Sequence, residues 1–304
     1  MKITIIGAGA MGSLFGALLA ESGCDVRLVD VWIEHVKMIN EKGLHIERER
    51  KRRVVKLKAV AETDRLGQAD LIIIFVKSTQ TADAAKTAQQ IMGQTCPVLT
   101  LQNGMGNADI IAEAIGAECV VAGTTSHGAT LLAPGSIRHA GVGPTVIGMW
   151  AGGDPSQARV IAETFNAAGI ETKVVEEVRS VLWDKLLVNI GINAVTALTG
   201  IKNGQILDLE VTKKLSQAAV EEAMAIARMQ GVAVRDDAVA HVLKVAEATG
   251  PNRSSMGQDI DNHRQTEIGA INGVVVCEGR KCGLETPVND TLTALIETLQ
   301  AHYK

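Results

Sequence analysis

Lys185, Asn189 and Asn193 recur at every fourth residue of one apolar stretch. On a helix that spacing stacks them into a single polar stripe. The flanking Leu186, Leu187, Val188, Ile190 and Ile192 are aliphatic, so the stripe reads as the wall of a site, with a solvated helix face as the alternative. An ammonium has a proton to give, and carboxamides both donate and accept; the set suits a small hydroxylated substrate. Downstream, in NRSSMGQDI at 252–260, Ser255 with Gln258 fits a capping box, a role compatible with a helix-start donor aimed at a carboxylate. In TEIGAING at 266–273, Glu267 lies between apolar positions near a glycine; a surface acid is the plainer alternative. His127, in the small-residue run GTTSHGA at 123–129, is a tempting proton donor, although a lone histidine is more often structural.

A second chemical feature opens the chain. The run KITII at 2–6 leads into Gly7-Ala8-Gly9-Ala10-Met11-Gly12, a helical pattern through Leu14, Leu18 and Leu19, and a strand at 26–29 that ends at Asp30. Strand, glycine turn, helix, strand and acid in this order form a dinucleotide-binding fingerprint. Gly7 permits the tight turn, Gly9 lets the backbone approach a pyrophosphate, and Gly12 brings the helix close to the strand. The first-turn amides offer donors and partial positive charge to the anion. Asp30 can accept both ribose hydroxyls of NAD and would repel the 2′-phosphate of NADP. Arg27 is poorly placed as a phosphate clamp, and Val31, Trp32 and Ile33 bring no cation. Ligands of doubly wound sheets lie beyond the carboxyl ends of the strands, which singles out Lys77 and Asn103. Both are expected at the cofactor and Asn103 also at the substrate; Asn103-Gly104 is equally a turn sequence.

The elements that must position these residues change character along the chain. A helix is expected over 33–42, an apolar strand at 71–76, a helix to about 92 and a strand at 97–101. Then come a helix over 107–115, strands at 119–123, 136–139 and 145–149, a helix over 156–168 and a strand at 171–175. Such alternation predicts an α/β fold, a Rossmann-like, mostly parallel sheet domain over residues 1–176. From about 178, helical periodicity runs through 181–197, 212–229, 236–248, 255–277 and 289–302. Residues 177–304 are therefore expected as an all-α domain that carries the substrate-binding and catalytic side chains. The run ERERKRR at 47–53 reads as the solvated tip of an exposed hairpin.

Composition narrows the function. The 304 residues carry a net charge of −4 with a pI near 6.0, which argues against nucleic acid and an anionic membrane surface as partners. Aromatic residues make up 2%, so the core must be aliphatic. Five cysteines show no C-x-x-C pattern and no zinc-ligand spacing. No metal site is expected, and a reduced, cytoplasmic compartment fits best. No uninterrupted run of 18 apolar residues occurs, so no membrane-spanning segment is expected. The short N-terminal apolar stretch ends in the glycine turn and does not read as a signal peptide. The oligomeric state is left open, a homodimer included.

With these motifs in place, the chain resembles the ketopantoate reductase (2-dehydropantoate 2-reductase) family. The matching pieces are GAGAMG at 7–12, QNGMG at 102–106, GTTSHGA at 123–129, WDKLLVNIGINAVTALTG at 183–200, SSMGQDI at 254–260 and TEIGAING at 266–273. They run in order across essentially the whole chain. The resemblance implies that the Gly7 to Gly12 turn, Lys77, Asn103 and Ala129 face the cofactor. It implies that Lys185 is the general acid, that Asn189, Asn193 and Asn203 contact the substrate, and that Ser255 and Asn252 lie near its carboxylate. Glu267 would sit beside the reacting centre, helping to hold substrate hydroxyl and cofactor. The implied reaction is NAD(P)H-dependent reduction of ketopantoate, a small 2-oxo acid, to pantoate, on the way to pantothenate and coenzyme A. One position departs from the pattern: the family usually prefers NADPH and commonly has a basic residue just after the second strand, where this chain has Asp30. The residues thus favour NAD(H), with NADP(H) as the family default. The rival readings are a related 2-oxo or 3-hydroxy acid dehydrogenase and a non-catalytic dinucleotide sensor; nucleotide binding alone does not require the Lys185 stripe.

Overall fold

A computed structural model describes residues 1–62, 66–93 and 96–303. The chain divides into two compact units, one of Met1–Gln102 with Asn107–Val178, the other of Asn103–Gly106 with Arg179–Lys304.

In chain order the strands of the first unit are β1 (Lys2–Ile6), β2 (Asp25–Val29), β3 (Leu44–Arg48), β4 (Lys51–Val55), β5 (Lys58–Val60), β6 (Leu71–Ile74), β7 (Val98–Thr100), β8 (Val120–Thr125), β9 (Gly128–Ala133), β10 (Ser136–Gly141), β11 (Thr145–Met149) and β12 (Thr172–Val174). Its helices are α1 (Ala10–Glu21), α2 (Ile33–Lys42), α3 (Thr81–Ile91), α4 (Asn107–Ile115) and α5 (Ser156–Ala167). Eight strands make one sheet in the order β12-β11-β8-β7-β6-β1-β2-β5, parallel except where β11 meets β8. The inner strands β1 and β6 are covered on both faces, which is why Ile3, Ile5 and Leu71 to Ile74 are all buried and read as continuous apolar runs. The chain winds outward from β1 through β2 to β5, then returns to β6 on the other side of β1. The resulting switch point, where dinucleotides bind in such sheets, lies beyond the carboxyl ends of β1 and β6. Those ends carry the glycine turn and Lys77.

A second, four-stranded sheet in the order β4-β3-β10-β9 goes beyond the expected elements. The small-residue run at 123–129 begins in β8 and ends in strand β9, which pairs antiparallel with β10, and β3 joins β10 in parallel. The β3–β4 hairpin ends in the expected charged tip. Glu49 and Arg50 turn it with φ of 50° and 65°, and Glu47 is paired with Arg138 at 2.9 Å and Arg52 at 3.3 Å.

The second unit is helical: α6 (Val178–Thr199, whose first residue closes the first unit), α7 (Glu210–Met229), α8 (Ala238–Ala248), α9 (Ser255–Asp261), α10 (Ile268–Cys282) and α11 (Pro287–Gln300). Its core joins Trp183, Leu186, Leu187, Ile190 and Val195 of α6 to Val220, Ile226, Ile271 and Ile296. Glu222 of α7 caps α11 from outside, accepting the Val288 and Asn289 amides at 2.8 and 3.0 Å. One expectation is corrected here. The periodic run at 255–277 is two helices, because His263 takes a φ of 50°, a left-handed conformation that ends a helix. Glu267 therefore heads α10 instead of lying mid-helix. In addition, α6 has a mean hydropathy of 1.3 and is long and apolar enough to cross a bilayer, yet 67% of that stretch is buried inside the protein. Asp184, Lys185, Asn189 and Asn193 interrupt its apolar run without lowering the average much.

Candidate active site

The glycine turn of the first unit separates into three physical roles. Gly7 has a φ of +95°, and a Cβ there would lie 2.7 Å from the Val76 amide nitrogen. A Cβ on Gly12 would lie 1.9 Å from the Gly7 carbonyl oxygen, so the first turn of α1 packs directly on the end of β1. Gly9 differs: nothing stands within 4 Å of its would-be Cβ, and the chain itself does not demand glycine there. Beside this open space lie the amides of Ala10, Met11 and Gly12, which as first-turn donors lack helical acceptors. Open backbone and free donors are what an approaching pyrophosphate requires, so the residues present fit a dinucleotide.

Asp30, at the end of β2, ties the turn together. Its Oδ2 accepts the Ala8 amide at 2.7 Å and its Oδ1 the Trp32 amide at 2.9 Å. The Ala8 amide, expected at the cofactor, is thus bound to Asp30. A carboxylate has about four acceptor positions, so both oxygens keep capacity for ribose hydroxyls. Trp32, 39% exposed, stacks on buried His35 with centroids 5.2 Å apart and planes at 9°. His35 Nδ1 accepts the Gly135 amide at 2.9 Å, and Nε2 lies 3.3 Å from Ser13 Oγ, which donates to the Ala8 carbonyl. This network assigns a neutral Nε2–H ring, and burial keeps its pKa below the usual 6.5.

Lys77 heads the short turn after β6, its carbonyl accepting the Gln80 amide at 2.8 Å. What fixes this loop is a residue to which the sequence reading assigned no role. Gln102 Nε2 donates to the Val76 carbonyl at 2.8 Å and to Thr81 Oγ1 at 2.9 Å, while Thr100 Oγ1 donates to its Oε1 at 2.9 Å. The buried amide locks the loop after β6 to the end of β7, just before Asn103. Its only sequence signal was membership of QNGMG. Ala129 lies in β9 opposite His139. His127 takes its structural alternative: Nδ1 lies 3.3 Å from His139 Nε2, Phe15 presents an edge at 5.7 Å, and burial lowers the pKa of both histidines.

The second unit gathers the rest. Lys185 is largely enclosed on α6; burial pulls its ammonium from the ordinary 10.5 down to about 8, and the Glu267 carboxylate opposes that fall. Glu267, 9% exposed, occupies the N-cap position of α10 without capping it. Its Oε2 instead takes Asn103 Nδ2 at 3.5 Å, long for a hydrogen bond, as catalytic contacts often are without ligand. Asn103 is delivered by the segment Asn103–Gly106, which docks on α10: the Met105 amide donates to the Ala270 carbonyl at 2.9 Å. A Cβ on Gly104 (φ +82°) would lie 2.5 Å from the same oxygen.

Two turns along α6, buried Asn193 places Nδ2 3.5 Å from Ser255 Oγ; Asn189 stands half-buried between Lys185 and Asn193. The expected capping box is corrected. Ser254 caps α9, its Oγ accepting the Gly257 amide at 3.0 Å, and Gln258 turns to the Arg253 carbonyl. Ser254 wins because Thr196 Oγ1 holds it at 2.7 Å. The Ser255 hydroxyl is left at the exposed start of the helix. Asn203 and Asn252 also meet: the Asn203 amide donates to the Asn252 carbonyl at 3.0 Å. Asn203 Nδ2 donates to Thr249 Oγ1 at 3.0 Å, and its Oδ1 is buried with no donor among the described residues.

Residues 3–152 match the family model for ketopantoate reductase PanE/ApbA, and residues 177–300 that for ketopantoate reductase PanE/ApbA C terminal. The chain is 36% identical over 304 residues to a 2-dehydropantoate 2-reductase of Halobacterium salinarum, covering 99% of each. It is 38% identical over 302 residues to that of Pyrococcus horikoshii, covering 99% of this chain and 98% of the other. This chain belongs to the ketopantoate reductase family. A PanE/ApbA family ketopantoate reductase from Ralstonia eutropha JMP134 superposes with a TM-score of 0.92 at 33% identity over 99% of both chains. A D-mandelate dehydrogenase bound to NADH and anilino(oxo)acetate gives 0.93 at 32% identity, over 99% of this chain and 98% of the other. As a ketopantoate reductase family member, the protein is an NAD(P)-dependent oxidoreductase acting on a small 2-oxo acid.

Proposed function

We propose that this protein reduces ketopantoate to pantoate and uses NADH at least as well as NADPH. The observation that carries the reaction is the set of Lys185, Glu267 and Asn103, a softened ammonium beside a buried carboxylate and a carboxamide. The Gly7 to Gly12 turn, Asp30 and Lys77 would hold the dinucleotide, which when bound supplies the hydride. As the keto carbon is reduced, negative charge grows on its oxygen, and Lys185 stabilises that oxygen and protonates it. Glu267 favours the charged form of Lys185 and accepts a substrate hydroxyl. Asn189, Asn193 and Asn203 orient the substrate through amide donors and acceptors. Ser255 and Asn252 receive its carboxylate.

The cofactor preference rests on Asp30, fixed by two backbone amides in a posture that offers acceptors to ribose hydroxyls and repulsion to a 2′-phosphate. A difference of about 1.4 kcal/mol already gives a tenfold bias. The test is kcat/KM for ketopantoate with each cofactor. Absence of turnover with both, in folded protein that binds NADH, would overturn the reaction. A preference for NADPH of about tenfold or more would overturn the role of Asp30. One observation supports a second reading, reduction of a different 2-oxo acid: the likeness to D-mandelate dehydrogenase. Assaying ketopantoate beside an aryl 2-oxo acid separates the two.

A further inference from the structure

Arg253 immediately precedes the two serines that open α9, and the chemistry above gives its side chain nothing to do. Its Nη1 donates to the carbonyl oxygens of Thr196 and, at 3.0 Å, of Ile201. Its Nε and Nη2 grip both oxygens of Asp261 at 2.8 and 2.9 Å. Thr196 lies in the last turn of α6, where its carbonyl also accepts the Gly200 amide at 3.0 Å, and Asp261 is the last residue of α9. One planar group therefore ties the end of α6 to both ends of α9. It lies flat on Gly257, where a Cβ would come 2.6 Å from Cζ and 2.7 Å from Nη1; the clamp closes only over glycine. The next residue, Ser254, is bound to the same Thr196 at 2.7 Å. Residues 253 and 254 thus fix residue 255 against the face of α6 that carries Asn193, one turn before Thr196.

We propose that Arg253 is a positioning residue that sets the spacing between Asn193 and Ser255, and with it the fit of the substrate's carboxylate end, without touching the substrate. The inference rests on reading Asn193 and Ser255 as substrate contacts. Every nitrogen of the guanidinium already donates within the protein, so it presents no free edge for a bidentate grip on a second carboxylate.

The test uses Arg253→Lys and Asp261→Asn in the full-length protein, with kcat, KM for ketopantoate, NADH affinity and Tm measured for each. Lysine keeps the charge and loses the fork. It is expected to raise KM by about ten- to 10²-fold, the cost of misplacing a binding group by about an ångström. Because the clamp acts on binding, kcat is expected to stay within about threefold and NADH affinity to stay unchanged. Asp261→Asn, at a half-exposed side chain that tolerates change, is expected to raise KM in the same direction because it loosens the same clamp. A lower KM in Asp261→Asn would overturn the proposal, since it would mean that the released guanidinium binds the substrate itself. An unchanged KM in both variants with a lowered Tm would overturn it too, leaving a structural brace. If the parent protein turns over no 2-oxo acid, the reading of the site fails and this inference falls with it. A normal parent with normal variants removes Arg253 alone.

Discussion

Replacing Glu267 by Gln tests the central pair while keeping the shape of the side chain. In the parent protein, burial sets the Lys185 ammonium at about 8 against an ordinary 10.5, with Glu267 holding it up. Reduction consumes a proton, so kcat/KM should follow the protonated fraction of Lys185. That fraction is about nine-tenths at pH 7 and about one-tenth at pH 9. A lysine of ordinary pKa would remain almost fully charged at pH 9, so the alkaline limb reports burial directly. Removing the Glu267 charge takes away an interaction that favours the ammonium, and the limb is expected to move to lower pH by about one unit or more. The plateau also falls by whatever Glu267 contributes to holding substrate, but the position of the limb is a separate readout. The assay is kcat/KM for ketopantoate at saturating cofactor, followed through NADH absorbance at constant ionic strength. A parent profile flat through pH 9 would refute the assignment of Lys185. A limb that stays in place or moves upward in Glu267→Gln would refute the coupling.

Lys185→Ala is expected to lower kcat by about 10²- to 10⁴-fold, the usual cost of losing a positioned acid, with NADH affinity intact by calorimetry. Gly9→Ala is expected to fold normally, because its Cβ meets nothing within 4 Å, and to lose dinucleotide affinity by about tenfold or more. Gly12→Ala, with a contact at 1.9 Å, should destabilise the first unit by several kcal/mol, about the upper range for single substitutions; equal Tm values for the two variants would contradict this division. His35, His127 and His139 all have pKa values held below 6.5 by burial, so below that pH the unfolded chain takes up protons before the native one does. Stability is therefore expected to be complete above about pH 6.5 and to fall on acidification toward pH 5, before carboxylates titrate. A Tm constant across that window would refute it.

The sequence alone determined whatever obeys local physics. Continuous aliphatic runs mark strands covered on both faces, and β1 and β6 lie where those runs are. Helices α2 and α4 span 33–42 and 107–115, the residues their periodicity and flanking turns predict. The Lys185, Asn189 and Asn193 stripe was legible because a helix turns every 3.6 residues whatever surrounds it. Tertiary structure decided the rest. Glu267 could not be told from a surface acid until His263 broke the helix before it and Asn103, 164 residues away, came to its carboxylate. Ser254 rather than Ser255 became the cap because Thr196 of another helix holds its hydroxyl. Gln102 had no assigned role, yet it joins the loop after β6 to the end of β7 through Val76 and Thr100. His127 could be read as a proton donor or as a structural histidine, and its contacts with His139 and Phe15 favour the structural role. In each case the deciding contact joins residues that no periodicity relates, and a buried polar group chooses among possible partners only once packing has removed water as a competitor.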